Sequence, residues 1–245
     1  MMRAFAWLLA LWGAAAPAAP LAEEFAREVD RRLELPLPAQ AFYGALLGKA
    51  VESSLARDAV SQFFVMVDRS PSVQAVMIYW RAADGTTEFV GASPATTGEP
   101  GEYEHFRTPL GVFEQSRLNA DFRAEGSKNS LGIRGYGEKG MRVYDFGWVV
   151  TERGWGKGGR SPMRLQVHAT DPEFLEPRLG RAGSAGCVRI PASFNVFVDR
   201  HGLLDAGSEH AWLLRPDREP TPHPGRWLVV IDTAHTSRPE WSPAP

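Results

Sequence analysis

A single cysteine, Cys187, stands among 245 residues. No intrachain disulfide can form, so stability must come from packing. No cysteine lies near residue 19, which excludes a bacterial lipoprotein anchor. An excess of charge is lacking too. The 27 basic side chains face 29 acidic ones, a net charge of −2, and nothing in that balance suggests nucleic acid as a partner. No apolar run is long enough to read as a spanning helix. Metal-ligand spacing is missing around His105, His201, His210 and His223, which read as structural or solvated. His168 and Cys187 alone do not close a zinc site, so neither metal nor cofactor is expected. Gly154-Trp155-Gly156-Lys157-Gly158-Gly159 is rich in glycine but lacks the GxxxxGK[ST] phosphate-loop pattern. There is no βαβ rhythm and no repeat.

What the chain has begins with a leader. Met1-Met2-Arg3 is a short positive start, Ala4 to Trp12 is a brief apolar core, and small residues follow. This is a signal-peptide pattern over 1–18, with cleavage expected after Ala16-Pro17-Ala18. An uncleaved amphiphilic anchor is the alternative. Export places the protein in the periplasm or cell envelope, with no stable transmembrane segment after cleavage. Residues 19–61 read as a helical N-terminal extension, interrupted at Leu35-Pro36-Leu37-Pro38, that packs on the main body. From residue 62 the period changes to that of strands. Strands are expected at 63–68, 73–80, 87–92, 111–113, 141–150, 164–168, 211–214 and 227–231, with a hairpin turn at Asp84-Gly85. A short helix is expected over 193–201, capped by Gly202. The main domain spans 62–232 and is mostly β with a few helices. The tail, 233–245, is rich in proline and polar residues.

Chemistry concentrates near Cys187, in Arg181-Ala182-Gly183-Ser184-Ala185-Gly186-Cys187-Val188-Arg189-Ile190. An isolated cysteine is commonly a small buried hydrophobe. Here glycines bracket it, and His168 lies nineteen residues upstream at the end of a strand-like run. A thiolate is the nucleophile, so Cys187 needs a base, a cation or backbone N–H groups to form it. His168 can take the thiol proton and return it to a leaving amine. Gly183 and Gly186 permit a cramped backbone, and N–H groups of this loop can face a developing oxyanion. Arg189 shares a face with Cys187 if the segment is extended, where it would hold a substrate carboxylate; the alternative is a salt bridge that anchors the loop. Trp155 is either the apolar face of a lid or part of a surface hairpin.

These residues resemble the YkuD-type L,D-transpeptidase family. The family signature is a histidine, a spacer of about fifteen residues, then Ser/Thr-His-Gly-Cys, an apolar residue and arginine or asparagine. Here it reads His168, a spacer ending at Gly183, then Ser184-Ala185-Gly186-Cys187-Val188-Arg189. Thr108-Pro109-Leu110-Gly111-Val112-Phe113 resembles the family's TPxGxF element, and Ser93 to Gly98 the loop before it. The resemblance runs from about 62 to 232. It implies a β-sandwich with short helices, Cys187 as nucleophile, His168 as base, a loop shaped by Ser184 and Gly186, and Arg189 as a guide for peptide carboxylates. The implied substrates are peptidoglycan stem tetrapeptides. Terminal D-alanine is released and the acyl group passes to an amine, on another stem or on an envelope protein. An L,D-carboxypeptidase or related hydrolase, and a non-catalytic envelope-binding protein, are the competing readings. One departure stands out: Ala185 occupies a position commonly filled by a second histidine. The 116–139 segment, with Gly135-Tyr136-Gly137, looks like an insertion able to cover the cleft.

Overall fold

The computed structural model describes residues 17–58, 60–208 and 217–243. The leader, except its last two residues, lies outside them, as do the strand expected at 211–214 and His210. Ala18, after which cleavage is expected, is the buried first residue of helix α1 (Ala18–Glu28).

Strand β1 (Gln62–Asp68) is buried at every position. A strand alternates its side chains between two faces, so both faces must be covered. β1 pairs antiparallel with β2 (Ala75–Arg81) and parallel with β8 (Trp227–Ile231). With β3 (Thr87–Pro94) and β4 (Gly111–Glu114) they form a sheet of order β3-β2-β1-β8-β4. On one face Phe64, Met66, Met77 and Tyr79 meet Tyr43, Leu47 and Val51 of helix α2 (Leu37–Glu52). On the other, Phe63, Val65, Ile78 and Trp80 join the core shared with a second sheet.

The second sheet has the order β5 (Val143–Glu152), β6 (Arg160–Ala169), β7 (Val188–Ile190), with β6 and β7 parallel. Leu165, Val167, Val188 and Ile190 enter the shared core with α1 and helix α3 (Ala192–Arg200). Phe25 of α1 packs edge-on against Phe194 and Phe197, ring centroids 5.9 and 5.2 Å away. Gly91 makes room for it, since a Cβ there would stand 2.3 Å from the Phe25 ring.

The architecture is a mixed α/β domain with two β-sheets and short helices. That is a broader class than the mostly β expectation, because helices complete both cores and two of the pairings are parallel. Three local departures have physical causes. β2 begins at Ala75 rather than Val73 because Gln74 turns the chain at φ 50°, its buried amide bonded to the Arg69 carbonyl and to Thr97. β6 starts at Arg160, across a polar, proline-containing stretch that pairs with β5 at the edge of the sheet. β7 is only three residues long, too short for a periodicity to register. Among the described residues no helix is long and apolar enough to cross a membrane.

Candidate active site

The loop before Cys187 is braced from two directions. Thr108, fully buried, accepts a hydrogen bond from the Gly98 N–H and donates one to the Gly186 carbonyl, both 2.7 Å. One hydroxyl thereby joins the two glycine-bearing loops. Their backbones are close: a Cβ on Gly98 would fall 2.1 Å from the Phe106 carbonyl oxygen and 2.7 Å from the Gly186 Cα. Gly186 has φ 128°, a conformation side-chain-bearing residues rarely adopt, and a Cβ there would meet Met163 sulfur at 2.7 Å. Ser184, also buried, donates to the Cys187 carbonyl at 2.5 Å and accepts from the Gly186 N–H at 3.1 Å. The Gly183 and Ser184 N–H groups both bond to the Thr97 carbonyl, at 2.9 and 3.0 Å. The N–H groups of Gly183, Ser184 and Gly186 are therefore engaged within the fold, where they hold the loop.

Cys187 is half-buried immediately before β7. Its thiol turns toward the β6 backbone, 3.6 Å from the Arg164 carbonyl oxygen. Burial pushes it up to about 11, against the Gln166 backbone N–H and the Arg189 guanidinium, which both favour the thiolate. His168 lies at the end of β6, opposite Arg189 in the parallel ladder. Strand spacing and rise put its Cα roughly 8 Å from that of Cys187. Its Nδ1 stands 2.6 Å from the Ala169 carbonyl oxygen. A carbonyl only accepts, so Nδ1 carries the proton and Nε2 keeps the free lone pair. Burial holds the imidazole down to about 4, with the Arg189 charge adding to the effect and the Ala169 carbonyl opposing it. Among the described residues there is no hydrogen bond between His168 and Cys187. The resting site holds a neutral thiol and a neutral imidazole, with Arg189 acting on both.

Arg189 is largely buried, and burial lowers its own pKa while the neighbouring thiolate would raise it. Its guanidinium has no salt bridge or side-chain hydrogen bond among the described residues, so the loop-anchoring alternative finds no acid partner. Ala185 is exposed, and its carbonyl accepts from the Phe106 N–H at 3.3 Å.

Four further residues belong to this neighbourhood. The Tyr136 ring packs on His168 with centroids 4.5 Å apart, and its hydroxyl donates to Gln166 at 3.1 Å. Burial and the nearby Cys187 both raise the phenol pKa. Arg164 pairs with the buried Asp145 at 2.5 Å. Burial works against the Asp145 carboxylate, but bonds from Arg164, the Gly147 N–H and Asn119 hold it below its ordinary range. Gln166 had a signal in the sequence, standing two residues before His168 on one strand face. Tyr136 had none beyond its flanking glycines.

Cys187 opens into a cleft of about 390 Å³ that Trp155 and Trp148 also line. Trp155 stands edge-on to Phe106 at 4.7 Å and to Tyr103 at 5.8 Å, so the 154–159 loop is part of the cleft wall. His105 sits 3.7 Å from Glu102, and His201 lies between Glu24 and Glu28 of α1. Among the described residues no group of three or more His, Cys, Asp or Glu is placed to hold a metal ion.

No protein-family model matches the chain. No curated protein matches it either. Among solved structures it is similar to an L,D-transpeptidase (Yku) from Stackebrandtia nassauensis. The two share 14% sequence identity, and the match covers 89% of this chain and 80% of that one with a TM-score of 0.33.

Proposed function

We propose that this chain is a cysteine acyltransferase of the YkuD type, an L,D-transpeptidase acting on peptidoglycan stem tetrapeptides. In this reading the two sheets form the family's sandwich, 62–232 is the catalytic domain, and the signal peptide delivers it to the periplasm. The observation that carries the proposal is the brace around Cys187. Thr108 and Ser184 fix the main chain on both sides of the thiol, which lies in an aromatic-walled cleft beside a cation with no acid partner among the described residues.

Cys187 sulfur attacks the amide carbonyl before the terminal D-alanine. Its proton passes to His168 Nε2, directly or through the bound substrate, as the C–S bond forms. His168 returns that proton to the departing D-alanine nitrogen as the C–N bond breaks. An acceptor amine then attacks the thioester, loses a proton to His168, and restores the thiol. Arg189 favours sulfur over imidazole as the charged partner. The cleft mouth is open, with Trp148 71% exposed, and this favours a second reading in which water replaces the amine and the product is a tripeptide stem.

Incubation of the mature protein with purified tetrapeptide muropeptides, read by intact mass, tests both. Cross-linked or amine-exchanged product is expected, with D-alanine loss alone marking the hydrolase. Cys187→Ala should abolish either product while keeping the wild-type melting temperature within a few degrees. Turnover by the folded variant would overturn the assignment.

A further inference from the structure

The loop that carries Cys187 separates two cavities. Ala185 and Cys187 face the aromatic cleft. Arg181, Ala182 and Gly183 instead line a cavity of about 410 Å³, together with Arg178, Arg189 and Thr96. No residue lines both.

This second cavity is cationic. Three arginines line it, and among the described residues no aspartate or glutamate does. None of the three makes a salt bridge or a side-chain hydrogen bond among the described residues. Arg189 is the telling member, because a largely buried guanidinium without a counter-ion is costly to keep. The acid closest in sequence, Glu176, offers no relief. It is buried and turned inward, accepting from the Ala192 N–H at 3.0 Å, where it caps α3. The Thr96 hydroxyl, at the cavity wall, also makes no hydrogen bond among the described residues. A rigid fork of N–H donors beside a free hydroxyl matches the oxygens of a carboxylate.

We propose that the cavity bounded by Arg178, Arg181 and Arg189 is a carboxylate subsite, which takes a carboxylate-bearing peptide on the side of the nucleophile loop away from the thiol. Naming a peptide as the ligand rests on the acyl-transfer reading; the carboxylate site itself does not. Arg178 and Arg181, at the exposed rim, draw the ligand in, and Arg189 meets it at depth. Arg189 also acts on Cys187, so an occupied subsite screens the charge that favours the thiolate. Peptide binding here and thiol ionisation are linked.

The test uses the full mature chain carrying Cys187→Ala, which cannot react, and the dipeptide glutamyl-alanine as probe. Calorimetry should show saturable binding that weakens with added salt. Arg178→Gln with Arg181→Gln should weaken it at least tenfold, and the diamide of the dipeptide should not bind. No saturable binding, equal affinity in the double variant, or equal affinity for the diamide would each overturn the subsite. Inorganic phosphate binding as tightly as the dipeptide would overturn the peptide assignment. In the wild type, saturating dipeptide should move the pH midpoint of Cys187 alkylation by iodoacetamide upward. A lowered plateau with an unmoved midpoint would mean simple blocking and would overturn the linkage. None of these readouts needs turnover, so failure of the acyl-transfer reading in the muropeptide assay stays separate from failure here.

Discussion

His168 gives the sharpest quantitative test of the site, because its environment is legible in stability as well as in catalysis. Its imidazole is buried against Tyr136, faces Arg189 across the ladder, and is held down to about 4 from an ordinary 6.5. Between those two values the unfolded chain binds a proton at this position and the folded chain does not. Stability therefore rises with pH through the window. It is fully present above 6.5 and is lost as the pH falls toward 4. The displacement from 6.5 to about 4 corresponds to a loss on the order of 3 kcal/mol. Urea unfolding at pH 7, 6, 5 and 4 reads this directly. The comparison is with His168→Gln, whose amide can still donate to the Ala169 carbonyl but cannot titrate. That variant can be less stable at every pH, so the slope is the measurement rather than the offset. Other groups titrate in or near the window. Asp145, Asp171 and Asp199 are held low, and Glu176 is pushed up by burial, which gives a slope of opposite sign. All are common to both proteins and cancel in the difference. Wild type should lose about 3 kcal/mol more than His168→Gln over this range. Equal slopes would refute a buried neutral imidazole, and with it the assignment of Nε2 as the resting base.

Thr108→Val keeps the shape but removes both hydrogen bonds that clip Gly98 to Gly186, leaving a buried N–H and a buried carbonyl without that partner; a loss of about 1–3 kcal/mol in urea unfolding is expected, with slower alkylation of Cys187. Gly98→Ala should be more damaging, because its methyl would meet backbone at 2.1 Å; a melting temperature equal to wild type would show that the two loops are looser than described. Iodoacetamide alkylation of Cys187 should climb with pH toward a midpoint of about 11, and Arg189→Gln should move that midpoint higher, since the guanidinium favours the thiolate. An unmoved midpoint would remove Arg189 from the electrostatics of the thiol.

Much of the fold was legible in the sequence because its strands carry their own signal. Residues 63–68 read as a strand from their run of phenylalanine, valine and methionine, one residue short of the observed start at Gln62, and Trp227–Ile231 reads the same way. No local pattern says that these two lie side by side and parallel, since the paired residues Phe64 and Trp227 lie 163 positions apart across several elements. β7 escaped for the opposite reason. Val188–Ile190 is short, and its extension is imposed by β6 on one side and by the Thr96 pairing with Arg189 on the other. The balance between sheet and helix also depends on tertiary packing. α1 contributes its largest core side chain, Phe25, because Gly91 leaves space for the ring.

The candidate site divides along the same line. Cys187, His168 and Arg189 stand out by residue type and spacing, and Ser184 and Gly186 by their place beside the thiol. Their electrostatics do not, because burial has no local signature. The sequence suggests an imidazole able to take the proton of a nearby thiol. The fold instead places His168 across from Arg189, with its Nδ1 proton on Ala169 and the thiol turned toward the β6 backbone. Two neutral groups then face one buried cation. Under the proposed function, such a site keeps its thiol unreactive until a ligand brings the reacting carbonyl to the sulfur and bridges the distance to Nε2. Tyr136 tightens this arrangement. It arrives from a long loop, covers the imidazole, and bonds the strand that holds it. Removing its ring should expose His168 to water and raise the imidazole pKa toward 6.5. The urea experiment on Tyr136→Ala would then show a shallower acid slope than wild type, with His168 still in place. A slope unchanged from wild type would mean that the strands alone, and not the loop, keep the imidazole dry.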